Sequence, residues 1–426
     1  MNILLIGSGG REHAIAWKLS QNENIKNIFC APGNGGTAKE NKCQNVDIKV
    51  TDFDRLIQFA KENDIYMTVV GPEDPLALGI VDRFESEGLK IFGPNKMAAK
   101  IEASKAFCKE IMVSANIPTA FYGEFTDFES AKKYVLEKGA PIVVKADGLA
   151  AGKGVTVAAT VEEAIDALKE IFIDKIFGDA GNKVVIEEFL KGEEASFLAF
   201  TDGITVVPMV SSQDHKPVYD NDKGPNTGGM GAYSPAPVMT EKLYNFALNK
   251  IAYPLVEELK KRNIVYKGII YAGLMIDGED VKVLEFNCRF GDPETQPLLM
   301  RLESDLLEIF DACINQNLKE IKINWYSEPT VCVVMASGGY PKDYKKGYEI
   351  TGIDSAEQLG NVKVFHAGTK LENEKVLTNG GRVLAVTARG KDLKSTIKLA
   401  YSAVEKINFK DMHFRKDIAQ KALRRL

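Results

Sequence analysis

Histidine and cysteine are scarce in this chain, and neither residue is clustered. The 426 residues include only four histidines, which stand far apart, so a histidine-ligated zinc centre is not expected. The six cysteines are scattered without close pairing, which indicates neither a disulfide framework nor a cysteine-based metal site. Such cysteine usage is typical of a reducing compartment, and we therefore expect a cytoplasmic protein.

The chain also lacks a basic excess and a long apolar segment. The formal net charge is -5 and the pI is about 5.7, so nucleic acid is not an expected partner. No run approaches the roughly 18 apolar residues of a membrane span, and the N-terminus reaches a glycine-rich turn at Gly7 without the features of a signal peptide. We expect small-molecule substrates, no membrane partner, and a monomer or weak homodimer.

The length and the order of apolar runs predict an α/β protein of several domains. Over residues 1–102, short apolar runs alternate with helical stretches, which is typical of a doubly wound parallel sheet. Residues 103–325 form the second predicted domain, which opens with a helix over 103–120 and contains a smaller α+β unit at about 121–191. A last α/β domain is predicted over 326–426.

The segment from Val283 to Glu294 carries the most informative pattern. It places Glu285, Asn287 and Arg289 at alternate positions of a predicted strand, so that all three face one way, while Leu284 and Phe286 face the core. Two oxygen ligands beside a guanidinium suit a metal-bound polyphosphate. A strand with one solvated polar face is the alternative.

A second pattern is the glycine-rich turn Gly7–Glu12 after the first predicted strand. Small residues there let backbone N–H groups approach a phosphate at a helix N-terminus, and a tight turn without a ligand is the alternative. The turn is a poor dinucleotide fingerprint, because Glu12 occupies the third glycine position and no acidic residue follows the second strand.

The run from Gly148 to Gly154 is not a P-loop, because its glycine spacing is too short and Gly154 stands where serine or threonine would bind magnesium. A flexible Gly-Lys-Gly tip between two strands is typical of a hairpin lid that closes over a triphosphate. Lys145 before it offers fixed positive charge, or is an edge lysine that reaches solvent. Glu187–Glu194 joins a strand to a carboxylate-rich connector, which alone is most often only a charged link.

Seven stretches in this order resemble the glycinamide ribonucleotide synthetase family of ATP-grasp ligases, over nearly the whole chain. They are Gly9-Gly-Arg-Glu-His13, Gly71-Pro-Glu-Asp-Pro-Leu76, Lys145–Gly154, Gln213-Asp-His-Lys216, Gly224–Pro235, Glu285–Glu294 and Gly380-Gly-Arg-Val-Leu384. The resemblance implies an ATP-grasp fold, with the N-terminal parallel-sheet domain, the α+β lid and the C-terminal α/β domain described above.

The resemblance also implies a reaction. ATP phosphorylates the carboxylate of glycine, and the amine of 5-phosphoribosylamine attacks the glycyl phosphate to give glycinamide ribonucleotide, ADP and phosphate, a step of purine biosynthesis. The implied cofactors are ATP and Mg²⁺ or Mn²⁺. An acyl phosphate is readily hydrolysed, so a closing lid is expected.

The resemblance assigns roles to individual residues. Glu285 and Asn287 would bind the metal, and Arg289, Asp292 and Lys145 are the implied catalytic residues, with Asp292 at the glycine ammonium or acting only as a helix N-cap before Pro293. The implied ATP contacts are Lys105, Lys145, Gly152, Lys153, Gly154, Glu187, Phe189, Leu190 and Glu194. The implied contacts to the amine substrate are Gly9, Gly10, Asn34, Glu73, Asp74, Asp214, His215 and Lys216, although His215 is alternatively a structural hydrogen-bonding residue.

Other functions remain open at this point. Another ATP-grasp ligase, such as a biotin carboxylase or a different purine-pathway ligase, would share these motifs. An NAD-dependent oxidoreductase would need the first glycine turn to bind a dinucleotide. A non-catalytic nucleotide sensor would not need Glu285, Asn287 and Arg289 together. The segment Gln213–Pro237 is expected to be an irregular loop, and a loop of that length is more often functional than idle.

Overall fold

The computed structural model describes residues 1–149 and 154–425. The N-terminal sheet is parallel throughout, in the order β3-β2-β1-β4-β5. Its strands are β1 (Asn2–Gly7), β2 (Asn27–Pro32), β3 (Cys43–Asn45), β4 (Ile65–Val70) and β5 (Ile91–Phe92). The helices are α1 (Gly10–Ser20), α2 (Phe53–Glu62), α3 (Glu73–Leu78), α4 (Ile80–Ser86) and α5 (Lys96–Ala103). The continuous apolar run of β1 is fully buried, as expected for a strand covered on both faces.

A smaller antiparallel sheet follows, in the order β6-β9-β7-β8. It contains β6 (Tyr122–Phe125), β7 (Ile142–Ala146), β8 (Val155–Ala158) and β9 (Val184–Glu188), with α7 (Phe128–Lys138) and α8 (Val161–Phe172) packed together beside it. Before it lies α6 (Lys105–Ser114), whose N-cap is Ser104. The helix predicted at the start of 103–120, ending before Ile117-Pro118, is confirmed as α6, and the capping Ser104 separates it from α5.

The central part of the chain contributes β10 (Glu193–Thr201), β11 (Val206–Pro208), β12 (Gln213–Asp214), β13 (Pro217–Tyr219), β14 (Lys223–Asn226), β15 (Gly231–Ser234), β16 (Gly268–Asp277) and β17 (Asp280–Asn287). The order β11-β10-β16-β17 forms one antiparallel sheet. Its helices are α9 (Glu241–Ala247), α10 (Tyr253–Lys261), α11 (Thr295–Arg301) and α12 (Leu306–Ile314), with a π-helical turn at Leu248–Ala252.

The C-terminal part is built on an antiparallel sheet in the order β12-β15-β18-β22-β19, with β23 also pairing β18. Its elements are β18 (Thr330–Ser337), α13 (Ile353–Glu357), β19 (Val362–His366), β20 (Thr369–Glu372), β21 (Lys375–Thr378), β22 (Arg382–Arg389), α14 (Leu393–Val404), β23 (Met412–His413) and α15 (Gln420–Leu423). Short 3₁₀ turns lie at Gly178–Gly181, Asp220–Asp222 and Leu318–Glu320.

The segment Gln213–Pro237 is not the irregular loop expected from its sequence. It holds β12 to β15, and β15 pairs with β18 from Ser234↔Thr330 to Gly231↔Val333. The central chain therefore supplies two strands of the C-terminal sheet. Among the described residues, no helix combines the length and apolar character needed to cross a bilayer.

Candidate active site

A cleft of about 390 Å³ lies where the N-terminal sheet, the small antiparallel sheet and β17 meet, and charged side chains line it densely. Cations and carboxylates alternate around its wall. The cations are Arg11, Lys105, Lys109, Lys145, Lys216, Arg289 and Arg382, and the carboxylates are Glu73, Glu102, Glu187, Asp214, Glu285, Asp292 and Glu294. Such a lining suits a polyanion that brings its own metal ion.

The structure brings Glu285, Asn287 and Arg289 to one side of this cleft, as the alternation predicted. Leu284 and Phe286 also touch the cleft, but Phe286 is buried in the core as predicted. Leu284 is only half-buried, because a register shift near Gly273 breaks the alternation there. Burial pushes the pKa of Glu285 upward, but Lys216, Lys145 and Lys105 around it lower the pKa overall. Glu285 is therefore an anion before any metal arrives.

Arg289 is held by carboxylates on both sides. Its Nε lies 3.2 Å from Glu73 Oε2 and its Nη2 lies 2.9 Å from Glu102 Oε1, while Nη2 also donates to Asn287 Oδ1 at 3.1 Å. Burial opposes ionisation of Glu73, yet Arg289 and Arg11 lower its pKa to about 2. Glu73 thus acts as a counter-ion in the cleft, whereas Asp74 beside it is exposed and outside both cavity linings described here.

Two lysines share the carboxylate of Glu187. Lys145 Nζ lies 2.8 Å from Glu187 Oε1, and Lys109 Nζ lies 3.1 Å from Glu187 Oε2. All three side chains are more than nine-tenths buried. Lys145 also donates to the carbonyl of Leu284 at 3.2 Å, which ties the small sheet to β17.

Lys105 occupies the first position of α6 and reaches the turn after β7. Its Nζ donates to the Gly148 carbonyl at 3.1 Å, and Asp147 Oδ1 accepts from the Ala106 amide at 2.6 Å. Burial lowers the pKa of Lys105, while Glu285 opposes that shift. Gly154 also lines the cleft. The expected ATP contacts Gly152 and Lys153 lie outside the described residues.

The expected adenine and ribose contacts lie at the end of β9, on the connector after it and at the start of β10. Phe189 is 38% exposed, and Leu190 and Glu194 are half-buried. These three do not belong to the lining of the cleft, although Lys216 Nζ joins Glu194 to it at 3.4 Å.

Asp214, His215 and Lys216 do not share one environment. Lys216 Nζ lies 3.1 Å from Asp214 Oδ2, and both line the cleft. The His215 ring is 1% exposed, and neither nitrogen has a protein hydrogen-bond partner among the described residues. Burial, together with Arg415 and Lys421, lowers the pKa of His215 to about 4.

Asp292 is not a helix N-cap. Helix α11 begins at Thr295 with Glu294 at the N-cap position, and the Asp292 carboxylate is engaged by side chains instead of backbone amides. Its Oδ1 accepts from Gln296 Nε2 at 3.0 Å, and its Oδ2 lies 3.2 Å from Arg382 Nη2. The nearby Gly229 has φ +115°, and a side chain there would meet Pro293.

A second cavity of about 700 Å³ adjoins the first, and Asp292, Tyr340 and Arg382 line both. It opens between the N-terminal glycine turn and the C-terminal sheet. The remaining lining residues are Ser8, Gly9, Pro32, Gly33, Asn34, Ala38, Asn45, Ala367, Gly368, Thr369, Lys370, Leu371 and Asn379. Polar groups and small residues dominate this wall, which suits a hydrophilic ligand.

The predicted contacts in this second cavity are partly engaged already. The Gly9 amide donates to Glu12 Oε2 at 2.6 Å, so the side chain of Glu12 fills part of the expected phosphate nest. Gly10 packs against Gln296. The Asn34 amide donates to the carbonyls of Ser8 at 2.9 Å and His366 at 2.7 Å, while its oxygen accepts from the Gly36 and Thr37 amides. Asn34 therefore shapes the loop.

Several cleft residues escaped prediction. Glu294 is 2% exposed, and its Oε1 accepts from Ser196 Oγ at 2.8 Å and Tyr271 Oη at 2.9 Å. Burial, and the neighbouring Asp214, raise the pKa of Glu294. Lys109 could have been found, because it lies four positions after Lys105 on one helix face. Glu294 and Arg382 belong to two of the sequence motifs named above, but no role was predicted for either residue.

A divalent cation fits the donors that the cleft offers. Magnesium is commonly held by one or two protein oxygens together with substrate phosphates, and Glu285 and Asn287 supply such oxygens. Among the described residues, no group of three or more histidine, cysteine or acidic side chains forms a preassembled metal cage. The cleft thus suits a cation that arrives with a phosphate ligand.

Family models for phosphoribosylglycinamide synthetase match the chain in three consecutive parts. The N domain matches residues 1–102, the ATP-grasp (A) domain matches residues 103–295 and the C domain matches residues 330–421. The phosphoribosylamine--glycine ligases of Vibrio cholerae and Pseudomonas aeruginosa are each 52% identical to it over 426 residues. These alignments cover all of this chain and 99% of each relative.

Solved structures agree with that match. The crystal structure of phosphoribosylamine--glycine ligase from Thermotoga maritima superposes with a TM-score of 0.79 at 30% identity, covering 98% of this chain and 100% of the other. The biotin carboxylase domain of Hydrogenobacter thermophilus 2-oxoglutarate carboxylase gives a TM-score of 0.74 at 14% identity, covering 97% and 91%, which shows a shared fold alone. With an ATP-grasp fold and family matches along nearly its whole length, the chain belongs to the phosphoribosylglycinamide synthetase family.

Proposed function

We propose that this chain is an ATP-dependent ligase that joins glycine to 5-phosphoribosylamine, giving glycinamide ribonucleotide, ADP and phosphate. The observation that carries the proposal is the pair of cavities that meet at Asp292 and Arg382. The first cavity offers the charges for a nucleotide triphosphate, and the second offers polar side chains and the room for a sugar phosphate. The full-length relatives named phosphoribosylamine--glycine ligase support the same reaction.

The cationic wall of the first cavity positions the triphosphate. Lys145 and Lys105 lie on opposite strand and helix elements that face Glu285, and both lower the pKa of its carboxylate. Their charges would hold phosphate oxygens in line with the glycine carboxylate. Magnesium or manganese at Glu285 and Asn287 would neutralise the β- and γ-phosphates.

The proposed chemistry proceeds in two displacements. A glycine carboxylate oxygen attacks the γ-phosphorus, the bond to the ADP oxygen breaks, and glycyl phosphate forms. The nitrogen of phosphoribosylamine then attacks the carbonyl carbon, the carbon–oxygen bond to phosphate breaks, and the nitrogen loses a proton. Arg289, already fixed by Glu73 and Glu102, would stabilise the charge on the transferred group.

The residue assignments made from the sequence extend this proposal. Glu187 lies beside Lys145 in the cleft, and Lys216 joins Glu194 to it. Together with Phe189 and Leu190, which follow β9, they would contact the adenosine part. Gly9 and Asn34 belong to the second cavity, where phosphoribosylamine would lie. Asp292, shared by both cavities, would lie at the junction of the amino acid and the amine. Six unpaired cysteines fit a cytoplasmic location, and we propose a monomer or weak homodimer.

The test is phosphate release from ATP by the purified protein. We expect turnover only when glycine and phosphoribosylamine are both present, with glycinamide ribonucleotide identified by mass spectrometry. Bicarbonate in place of glycine separates this reaction from that of a biotin carboxylase. Full turnover without the amine, or no consumption of ATP under any of these conditions, would refute the proposed function.

A further inference from the structure

Lys145, Glu187 and Lys109 form a buried ion group. Of its two lysines, the sequence predicts only Lys145 as an ATP contact, so Lys109 is left without a role. Lys109 lies on α6, and its side chain is 2% exposed. Its Nζ contacts Glu187 Oε2 at 3.1 Å and donates to Thr119 Oγ1 at 2.8 Å, and it lies 5.5 Å from the centre of the Tyr122 ring. The Lys109 ammonium thus faces three protein groups: Glu187, Thr119 and the Tyr122 ring.

Lys145 is placed differently. Its ammonium pairs with Glu187 Oε1 and donates to the Leu284 carbonyl, which belongs to the strand that carries Glu285. An ammonium has three donors, so one remains for a ligand in the cleft. Of the two lysines on Glu187, Lys145 is therefore the one that can turn towards a phosphate.

This asymmetry creates an electrostatic requirement. A buried carboxylate that loses its only cation is costly, often by several kcal/mol. If Lys145 were the sole partner of Glu187, each phosphate contact of Lys145 would compete with that ion pair. With Lys109 fixed on the second oxygen, Glu187 remains compensated while Lys145 turns to the ligand.

We propose that Lys109 is a positioning residue for nucleotide binding: it neutralises Glu187 so that Lys145 is released to the phosphates. Thr119 supports it, because the Thr119 hydroxyl accepts from Lys109 and donates to the Val283 carbonyl at 2.8 Å. Lys109 is thereby anchored to β17 at the base of the cleft. The inference rests on the proposed function only in requiring that the first cavity binds ATP or ADP.

The test is calorimetric binding of ADP with magnesium to four proteins: the wild type, Lys109→Met, Glu187→Gln and the double variant. In Lys109→Met, Lys145 alone must neutralise Glu187, so ADP binding should weaken about 10- to 100-fold. The double variant should recover most of that loss, because Lys145 no longer has a carboxylate to neutralise. Lys133→Met on the exposed surface of α7 removes the same charge and should bind like the wild type.

Each result of the binding experiment either supports or overturns a proposal. Unchanged ADP affinity in Lys109→Met overturns the inference, and so does a loss that the added Glu187→Gln change fails to restore, since simple damage to the fold would give that result. If Lys109→Met does not fold, Thr119→Val replaces it and should give a smaller loss that disappears in the Glu187→Gln background. A wild type that fails to bind ADP would instead count against the proposed function.

Discussion

The carboxylate of Asp292 and the guanidinium of Arg382 form an ion pair across the junction of the two cavities, with Oδ2 and Nη2 3.2 Å apart. Arg382 opens β22 of the C-terminal sheet, ninety residues after Asp292 along the chain. Its Nη1 also donates to the carbonyls of Gly228 and Asp292, each at 2.7 Å. One side chain thus fixes the glycine-rich segment and Asp292 relative to each other.

Replacing Arg382 by methionine should therefore separate binding at the two cavities. We expect kcat/KM for phosphoribosylamine to fall about 100-fold, because the junction loses its fixed geometry. KM for ATP should change little, since the lysines around Glu285 are untouched. Steady-state kinetics with each substrate varied in turn measure both values. Equal effects on the two substrates would mean that Arg382 acts only through the general stability of the fold.

Glu285→Gln tests the metal role of β17. Glutamine keeps the size and an oxygen ligand but removes the negative charge, so we expect turnover to fall about 100-fold at low magnesium and to recover in part when magnesium is raised. Activity measured over a magnesium titration gives both numbers. Glu279→Gln is the matched control, because Glu279 is exposed at the turn before β17 and pairs only with the surface lysine Lys242. Wild-type behaviour of Glu285→Gln at low magnesium would exclude Glu285 as a ligand.

The local part of this site was predictable from sequence, since strand alternation needs no knowledge of the fold. That rule placed Glu285, Asn287 and Arg289 correctly on one side. It failed at Leu284, because the register shift opposite this residue is a property of the pairing between β16 and β17. A bulge leaves no local sequence signal of its own here.

Long-range partners account for most of what was missed. Lys109 pairs with Glu187 and Asp292 pairs with Arg382, and both partners lie far away in the sequence. The segment Gln213–Pro237 looked irregular because β12 and β15 are short, while the strand that orders them, β18, begins about a hundred residues later. Pairing with this distant strand satisfies backbone hydrogen bonds of the segment, and the composition of the segment does not predict that pairing.

The buried ring of His215 should make the protein less stable in acid. Its folded pKa of about 4 lies below the usual 6.5, so the unfolded chain binds a proton first as the pH falls. The contribution of the neutral ring to the free energy of unfolding is fully present above pH 6.5 and is lost progressively between pH 6.5 and 4. About 2 kcal/mol of it is lost at pH 5. Urea unfolding at pH 7.5 and at pH 5 measures this loss.

His215→Asn should remove that share of the acid sensitivity. The variant can be less stable than the wild type at pH 7.5, because the ring also packs against Tyr233. The decisive quantity is the difference between the two pH values, which should shrink by about 2 kcal/mol in the variant. An unchanged difference would show that the neutral ring of His215 does not contribute to the pH dependence.

Arg415 anchors the C-terminal segment to the strands that precede the Gly228–Gly229 turn, and its side chain is fully buried. It pairs with Asp417 through Nε and Nη2 at 2.8 and 2.7 Å, and Nη1 reaches Asp222 and the Pro217 carbonyl, each at 3.0 Å. Arg415→Met removes these hydrogen bonds, but Asp417 is only half-buried and the exposed Asp222 keeps Lys421 as a partner, so the loss should be about 2 to 3 kcal/mol. Chemical denaturation measures the loss.

The contacts of Arg415 also predict which part of the protein is destabilised first in Arg415→Met. Because Arg415 holds both Pro217 and Asp222, hydrogen exchange in Arg415→Met should accelerate first over β13 and β14, before the N-terminal sheet is affected. Arg424→Met is the matched control, since Arg424 is exposed near the same end of the chain and should leave both stability and exchange unchanged. Uniform acceleration across the protein would contradict a local anchor, because it would mean that Arg415 stabilises the whole fold cooperatively.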